Sequence, residues 1–114
     1  MSIENFLKNK SLMVIGLGKT GISVIKNIVT KTESVIAVDD NPNIALREDF
    51  SRYKNLNIAL GKEAKNGHLL EEVDLIITSP GVPSSHYIIK KAAAVNIPIW
   101  SELELSWSLM DKKQ

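Results

Sequence analysis

The sequence of 114 residues contains no cysteine, and its charges are almost balanced. The absence of cysteine excludes disulfide bridges, thiolate metal sites and a cysteine nucleophile. Its two histidines, His68 and His86, lie far apart in the sequence, so we expect no metal site. The formal net charge of +1 provides no bulk field that would attract nucleic acid. A ligand that carries phosphate must therefore be held by a local site.

Long apolar segments are also missing. The first residues, MSIENFLKNKSLMVIG, have no extended apolar run after a basic region, which is not the pattern of a signal peptide. No other stretch approaches the length of a transmembrane helix. We therefore expect a cytoplasmic protein with no membrane and no nucleic-acid partner. Hydrophobic residues make up 44% and charged residues 24%, and the length suits one globular domain.

The apolar runs that are present are short and alternate with helical patterns. Strands are predicted at residues 12–15, 34–38, 56–60, 73–78 and 97–100. Helices are predicted at residues 22–29, 66–72, 84–95 (capped by Ser84 or Ser85) and 101–110. Strands that alternate with helices indicate parallel pairing and right-handed crossovers. The predicted fold is α/β, a Rossmann-like open parallel five-stranded sheet of order 3-2-1-4-5 with helices on both faces.

A glycine-rich segment, VIGLGKTG, connects the first predicted strand to the first long helix. Gly16, Gly18 and Gly21 have the G-x-G-x-x-G spacing of a dinucleotide-binding loop. In such a loop the first glycine makes the tight turn, the second lets a ligand approach, and the third lets the helix pack closely. Free N–H groups at the helix start suit a phosphate, to which Lys19 would add a charge and Thr20 a hydrogen bond. The alternative is a turn whose glycines serve packing alone.

Acidic residues end the second predicted strand. In a Rossmann domain an acid at the position of Asp39 accepts hydrogen bonds from a ribose, which by itself favours NAD as the ligand. Asp40 and Asn41 add polar groups at the same edge, although Asp-Asn-Pro is also common turn chemistry. Both interpretations remain open on the residues alone.

The segment TSPGVP follows the fourth predicted strand. The first and fourth strands flank the point where open α/β sheets bind ligands, so Ser79, Pro80 and Gly81 would line a crevice opposite the glycine loop. A stiff turn is the alternative. His86, in SSHYII, would reach a phosphate, but its position at a helix start favours a capping or exposed side chain.

In this order, the segments VIGLGKTG, VDDNP, DLIITSPGVP and PIWSELEL resemble the N-terminal domain of the Mur ligases, and within that family the branch that adds D-glutamate. The resemblance covers residues 8–108. It implies that the domain holds the UDP part of UDP-N-acetylmuramoyl-L-alanine rather than NAD. The implied site residues are Gly18, Lys19, Thr20 and Gly21 over the diphosphate, Asp39, Asp40 and Asn41 near the uridine, and Ser79, Pro80 and Gly81 on the other wall.

The resemblance also implies that residues 1–114 are a single UDP-substrate-binding domain of a longer ligase. The family's central ATP-binding domain and its C-terminal domain for the amino acid are not in this sequence. The parent enzyme would use ATP and Mg²⁺ to phosphorylate the substrate carboxylate, which D-glutamate then attacks. This part is expected to hold no cofactor, no metal and no catalytic residue, and its partners would be the substrate and the two further domains.

One departure from the family and two alternatives accompany this interpretation. The family often has Thr and then Arg after the first acid, whereas this sequence has Asp40 and Asn41, so one cationic contact is missing. The first alternative, based on the glycine loop and Asp39, is an NAD-binding Rossmann domain of a dehydrogenase or sensor. The second is a stand-alone regulatory binding module.

Overall fold

The computed structural model describes residues 3–44, 50–79, 82–83, 86–101 and 105, with side chains from residue 5 onward. The strands are β1 (Ser11–Ile15), β2 (Ser34–Asp39), β3 (Leu56–Leu60), β4 (Leu75–Thr78) and β5 (Ile99–Ser101). The α-helices are α1 (Ile3–Leu7), α2 (Lys19–Ile28) and α3 (Tyr87–Ala94), and two 3₁₀ helices span Gly61–Lys65 and Gly67–Leu70. Among these residues, no helix has the length and apolar composition needed to cross a bilayer.

The five strands form one parallel sheet in the order β3-β2-β1-β4-β5, which confirms the predicted topology. At the carboxyl edge, Ile15 of β1 pairs with Val38 of β2 and with Thr78 of β4. Because these three strands end level with one another, the segments that follow them emerge side by side. These segments begin with Gly16 after β1, Asp40 after β2 and Ser79 after β4.

Both faces of the sheet are covered, as the apolar strands predict. Along β1, Leu12 and Val14 pack in the layer that contains residues of α1 and α2, whereas Met13 and Ile15 pack in the layer that contains residues of α3. All four side chains are at most 2% exposed. The period of two along a strand therefore supplies both cores from one continuous apolar run.

Two elements differ from the sequence-based expectation. Helix α1 is not predicted by the sequence, because five residues carry little periodicity and its contacts are tertiary: Phe6 stacks on Trp100 with ring centroids 5.9 Å apart. The short helical piece predicted around residues 66–72 is present, but as the 3₁₀ helix Gly67–Leu70 rather than as a segment that includes Asn66. Asn66 is extended there, and its side chain accepts a hydrogen bond from the His68 N–H, so that one 3₁₀ helix ends and another begins.

The bounds of the last elements also change. The fourth strand begins at Leu75 rather than at residue 73, and the fifth runs from Ile99 to Ser101 rather than from 97 to 100. The cap of α3 is His86, not a serine. Ser84 and Ser85 themselves lie outside the described residues. Of the predicted last helix, Ser101 is instead the end of β5, Leu105 is helical and buried, and residues 102–104 and 106–110 lie outside the described residues.

Candidate functional site

A pocket of about 170 Å³ opens at the carboxyl edge of the sheet. The residues that line it come from the ends of β1 and β2 and from the segment that leads into α3. They are Ile15, Gly16, Asp39, Asp40, Val82, Pro83 and His86. This is the place where the predicted topology puts a ligand site.

The first and third glycines of the loop are required by the fold. Gly16 has φ +97°, which side chains other than glycine rarely adopt, and a Cβ there would lie 2.6 Å from the Ser79 hydroxyl oxygen. A Cβ on Gly21 would overlap the carbonyl oxygen of Gly16. The predicted roles in the tight turn and in close helix packing are therefore confirmed.

The middle glycine is different. Gly18 is the N-cap of α2, its φ is −73°, and a Cβ built on it meets nothing within 4 Å. Among the described residues no side chain caps this helix end, and the first turn carries no acid. Lys19 and Thr20, the first two helical residues, are exposed. The start of α2 is thus an open, cationic end with backbone N–H groups available to an anion.

Both carboxylate oxygens of Asp39 are engaged with the main chain. Oδ2 accepts a hydrogen bond of 2.8 Å from the Leu17 N–H, and Oδ1 accepts one of 2.9 Å from the Asn41 N–H. Leu17 is 3% exposed, so water does not readily replace its bond to the carboxylate. Asp39 therefore ties the glycine loop to the end of β2.

The neighbouring acid, Asp40, contacts the start of α3 through His86. His86 Nδ1 accepts a hydrogen bond of 3.1 Å from the Ile88 N–H, so the neutral ring carries its proton on Nε2 and donates it to Asp40 Oδ2 at 3.0 Å. The His86 side chain is 12% exposed and that of Asp40 is 49% exposed. The expectation of a capping histidine is confirmed. The ring lies between the helix start and Asp40.

The sequence-predicted residues fall into two groups around this edge. Asp39 and Asp40 line the pocket, and Ser79 lies behind Gly16. Gly18, Lys19, Thr20 and Gly21 form the start of α2 beside it, and Asn41 is exposed after β2. Pro80 and Gly81 lie outside the described residues.

Other pocket residues were not part of the predicted set. Val82 and Pro83 directly follow the SPG segment, so their place after the fourth strand was the available signal. No sequence signal indicated the contact of His86 with Asp40, since 46 positions separate the two residues.

The charges at this edge are arranged with opposite signs at its two ends. The start of α2 carries Lys19 and the positive pole of the helix, whereas the end of β2 carries two adjacent aspartates. A ligand with an anionic part and a part rich in hydrogen-bond donors fits this arrangement. The described residues contain no group of three His, Asp or Glu side chains that would hold a metal ion.

A larger pocket, of about 410 Å³, lies at the opposite end of the sheet between the second 3₁₀ helix and α3. Its lining residues are Gly67, Leu70, Glu71, Val73, Lys91, Val95 and Ile97. It includes none of the residues that the sequence predicts for a ligand site. Size alone therefore does not make it the candidate, and position and chemistry favour the smaller pocket.

Comparison with known proteins gives one consistent family. Residues 10–101 match the family model described as Mur ligase MurD-like, N-terminal domain. A protein of Thermoanaerobacter pseudethanolicus named UDP-N-acetylmuramoylalanine–D-glutamate ligase is 37% identical over 103 residues, which are 89% of this chain and 22% of that protein. Its namesake in Thermoanaerobacter sp. strain X514 is 38% identical over the same shares. That of Caldanaerobacter subterraneus subsp. tengcongensis is 32% identical over 90% of this chain and 23% of its own length. The chain spans less than a quarter of the length of these relatives.

Proposed function

Because this chain belongs to the family of Mur ligase MurD-like N-terminal domains, we propose that it binds the UDP part of UDP-N-acetylmuramoyl-L-alanine. In this proposal the whole protein adds D-glutamate to that substrate in peptidoglycan synthesis. Further domains would supply ATP, Mg²⁺ and the site for the amino acid. The part described here binds and orients the nucleotide and carries out no chemistry alone.

The observation that carries the proposal is the open surface at Gly18. Packing requires a glycine at positions 16 and 21, but the backbone and the free space at position 18 would accept a side chain. A ligand that lies against the backbone gives a reason for the missing Cβ that the protein's own packing does not give. This surface adjoins the pocket formed by the ends of β1 and β2.

The diphosphate would lie over the start of α2. The first N–H groups of a helix have no intrahelical acceptor, and the helix dipole adds partial positive charge at that end. Lys19 would contribute a full charge and the Thr20 hydroxyl a further donor, and both side chains are exposed. No acidic residue in the first turn opposes an anion there.

The uridine would lie toward the end of β2. The carboxylate of Asp40 repels a diphosphate, so the charges orient the nucleotide with its phosphates at α2 and its base and ribose at the acids. The imide N–H of uracil and the ribose hydroxyls are donors that suit carboxylate acceptors. Asp39 would serve mainly by shaping the glycine loop, since its two oxygens accept hydrogen bonds from Leu17 and Asn41.

The NAD-binding alternative is not favoured. The matching family model is that of a Mur ligase domain, and the named relatives are ligases. The glycine spacing itself does not discriminate, because any pyrophosphate-bearing ligand benefits from the same helix start.

A titration of the folded chain tests the proposal. Amide NMR spectra would be recorded with UDP-N-acetylmuramoyl-L-alanine, with UDP, and with NAD as the comparator. We expect the two uridine ligands to shift the amides of residues 18–21, and NAD to leave them unchanged. Shifts with NAD alone would overturn the proposal in favour of a dinucleotide-binding domain, and a folded chain that ignores both uridine ligands would also contradict it.

Lys19→Ala is expected to weaken UDP binding by about tenfold, the size of one charge-assisted hydrogen bond to phosphate. The matched control is Lys8→Ala. Lys8 is also exposed but precedes β1, at the other end of the sheet. Calorimetric titration with UDP would compare the two variants at the same ionic strength. Equal losses in both would assign the effect to net charge rather than to a phosphate contact.

A further inference from the structure

We propose that His86 is a positioning residue of the nucleotide site, which acts by holding Asp40. This inference rests on the proposed function and adds to it a residue that the sequence pattern does not indicate. The hydrogen bond from His86 to Asp40 connects the turn after β2 with the start of α3 across the pocket. Its effect on the ligand would pass through the acid.

The imidazole ring is fixed at both nitrogens. Capping of α3 uses Nδ1 as an acceptor for the Ile88 N–H, and this selects the tautomer with hydrogen on Nε2. The remaining donor then has one described partner, Asp40 Oδ2 at 3.0 Å. Because the ring is only 12% exposed, it is held by its surroundings before any ligand arrives.

Two consecutive aspartates thus join three segments. Asp39 holds the glycine loop after β1 through Leu17, and Asp40 holds the start of α3 through His86. The turn after β2 is the common anchor, and both connections converge on the same pocket. The first connection uses the main chain of the loop, whereas the second depends on one side chain and can be removed without touching the glycine loop.

The benefit to binding is preorganisation. The Asp40 side chain is about half exposed, at 49%, so without a partner it would sample several rotamers in water. Fixing a carboxylate before binding removes part of the entropy cost that the ligand would otherwise meet. A bond to one oxygen also leaves acceptor capacity on the carboxylate for a donor of the nucleoside.

Two substitutions separate the roles of the two ring nitrogens. His86→Asn keeps a good helix cap, because asparagine is among the preferred N-cap residues, but its amide is too short to reach Asp40. His86→Gln places an amide N–H close to the position of Nε2 and restores the donor to Asp40, while glutamine caps a helix poorly. The Asn variant should therefore keep its stability and lose ligand affinity. The Gln variant should lose stability and keep its ligand affinity.

The test is calorimetric titration of the chain and both variants with UDP, accompanied by thermal unfolding of each. We expect His86→Asn to bind UDP about fivefold more weakly with little change in Tm, and His86→Gln to bind within about twofold of the unsubstituted chain despite a lower Tm. In an Asp40→Ala background, His86→Asn should cause no further loss, because the two residues act as one unit.

The outcomes distinguish this inference from the proposed function. If the unsubstituted chain binds UDP and His86→Asn binds it equally well, the positioning role is overturned and the proposed function stands. The same weakening in the Asn and Gln variants would also contradict a role through Asp40. If the folded, unsubstituted chain fails to bind UDP, the proposed function falls and this inference falls with it.

Discussion

Gly21→Ala is expected to lower the free energy of unfolding by about 3 kcal/mol, the upper end of what overpacking usually costs. The added Cβ would overlap the carbonyl oxygen of Gly16. That oxygen belongs to the backbone of a residue at φ +97°, so no rotamer change relieves the contact. Either α2 moves away from β1 or the loop distorts. Urea unfolding followed by circular dichroism measures the change in free energy. Thermal unfolding should show a drop in Tm of roughly 10 °C or more.

Gly18→Ala is the matched control, with the same chemical change three positions earlier. A Cβ at Gly18 meets nothing within 4 Å, and φ is −73°, so the cost is limited to a poorer N-cap of at most about 1 kcal/mol. Although Gly18→Ala should cost little stability, it should weaken UDP binding, because the added methyl group would lie where the ligand is proposed to approach. Equal destabilisation by the two substitutions would contradict the division of the glycines into packing and ligand-facing positions.

The sheet was predictable because each strand carries its own signal. The run from Leu12 to Ile15 is apolar at every position, since Leu12 and Val14 face one layer and Met13 and Ile15 the other. With strands and helices in alternation, right-handed crossovers leave few topologies. Helix α1 was not predictable, because it depends on the contact of Phe6 with Trp100. The division of the helical region around Asn66 into two 3₁₀ helices was not predictable either, because it depends on the local bonds of Asn66.

Features of the candidate site that depend on residues close together in the sequence were predictable, and those that join distant residues were not. The roles of Gly16 and Gly21 follow from a strand–turn–helix segment, and the structure confirms both. The bond between Asp40 and His86 joins residues 46 positions apart, and no spacing rule announces it. The choice between NAD and UDP is not encoded in the glycine pattern, because both ligands present a pyrophosphate to a helix start. That choice came from the resemblance; the family match confirms the family, and UDP binding remains a proposal.

Asp39→Asn is expected to destabilise the fold by about 2 kcal/mol, whereas Asp40→Asn should change stability by less than about 0.5 kcal/mol. Asp39 accepts two backbone N–H bonds, one on each oxygen. An amide has a single oxygen, so the variant loses one acceptor and turns an NH₂ group toward an N–H donor. Asp40 has one described partner, the His86 Nε2–H, which an amide oxygen also accepts. Chemical unfolding of the two variants, identical in their change of net charge, measures the difference.

The same pair of variants decides how an acid at the end of the second strand should be interpreted. A carboxylate used only to receive a ribose would leave stability unchanged when it becomes an amide, and would lose affinity alone. Here the larger loss of stability is expected at Asp39, because the single oxygen of an amide cannot replace both carboxylate oxygens, and either the Leu17 N–H or the Asn41 N–H would be left without a good acceptor. Equal stability of both variants would return Asp39 to the role of a ligand-facing acid. A selective loss at Asp39 would instead make this carboxylate part of the framework of the loop, so that any fall in UDP affinity must first be corrected for the fraction of the chain that is unfolded.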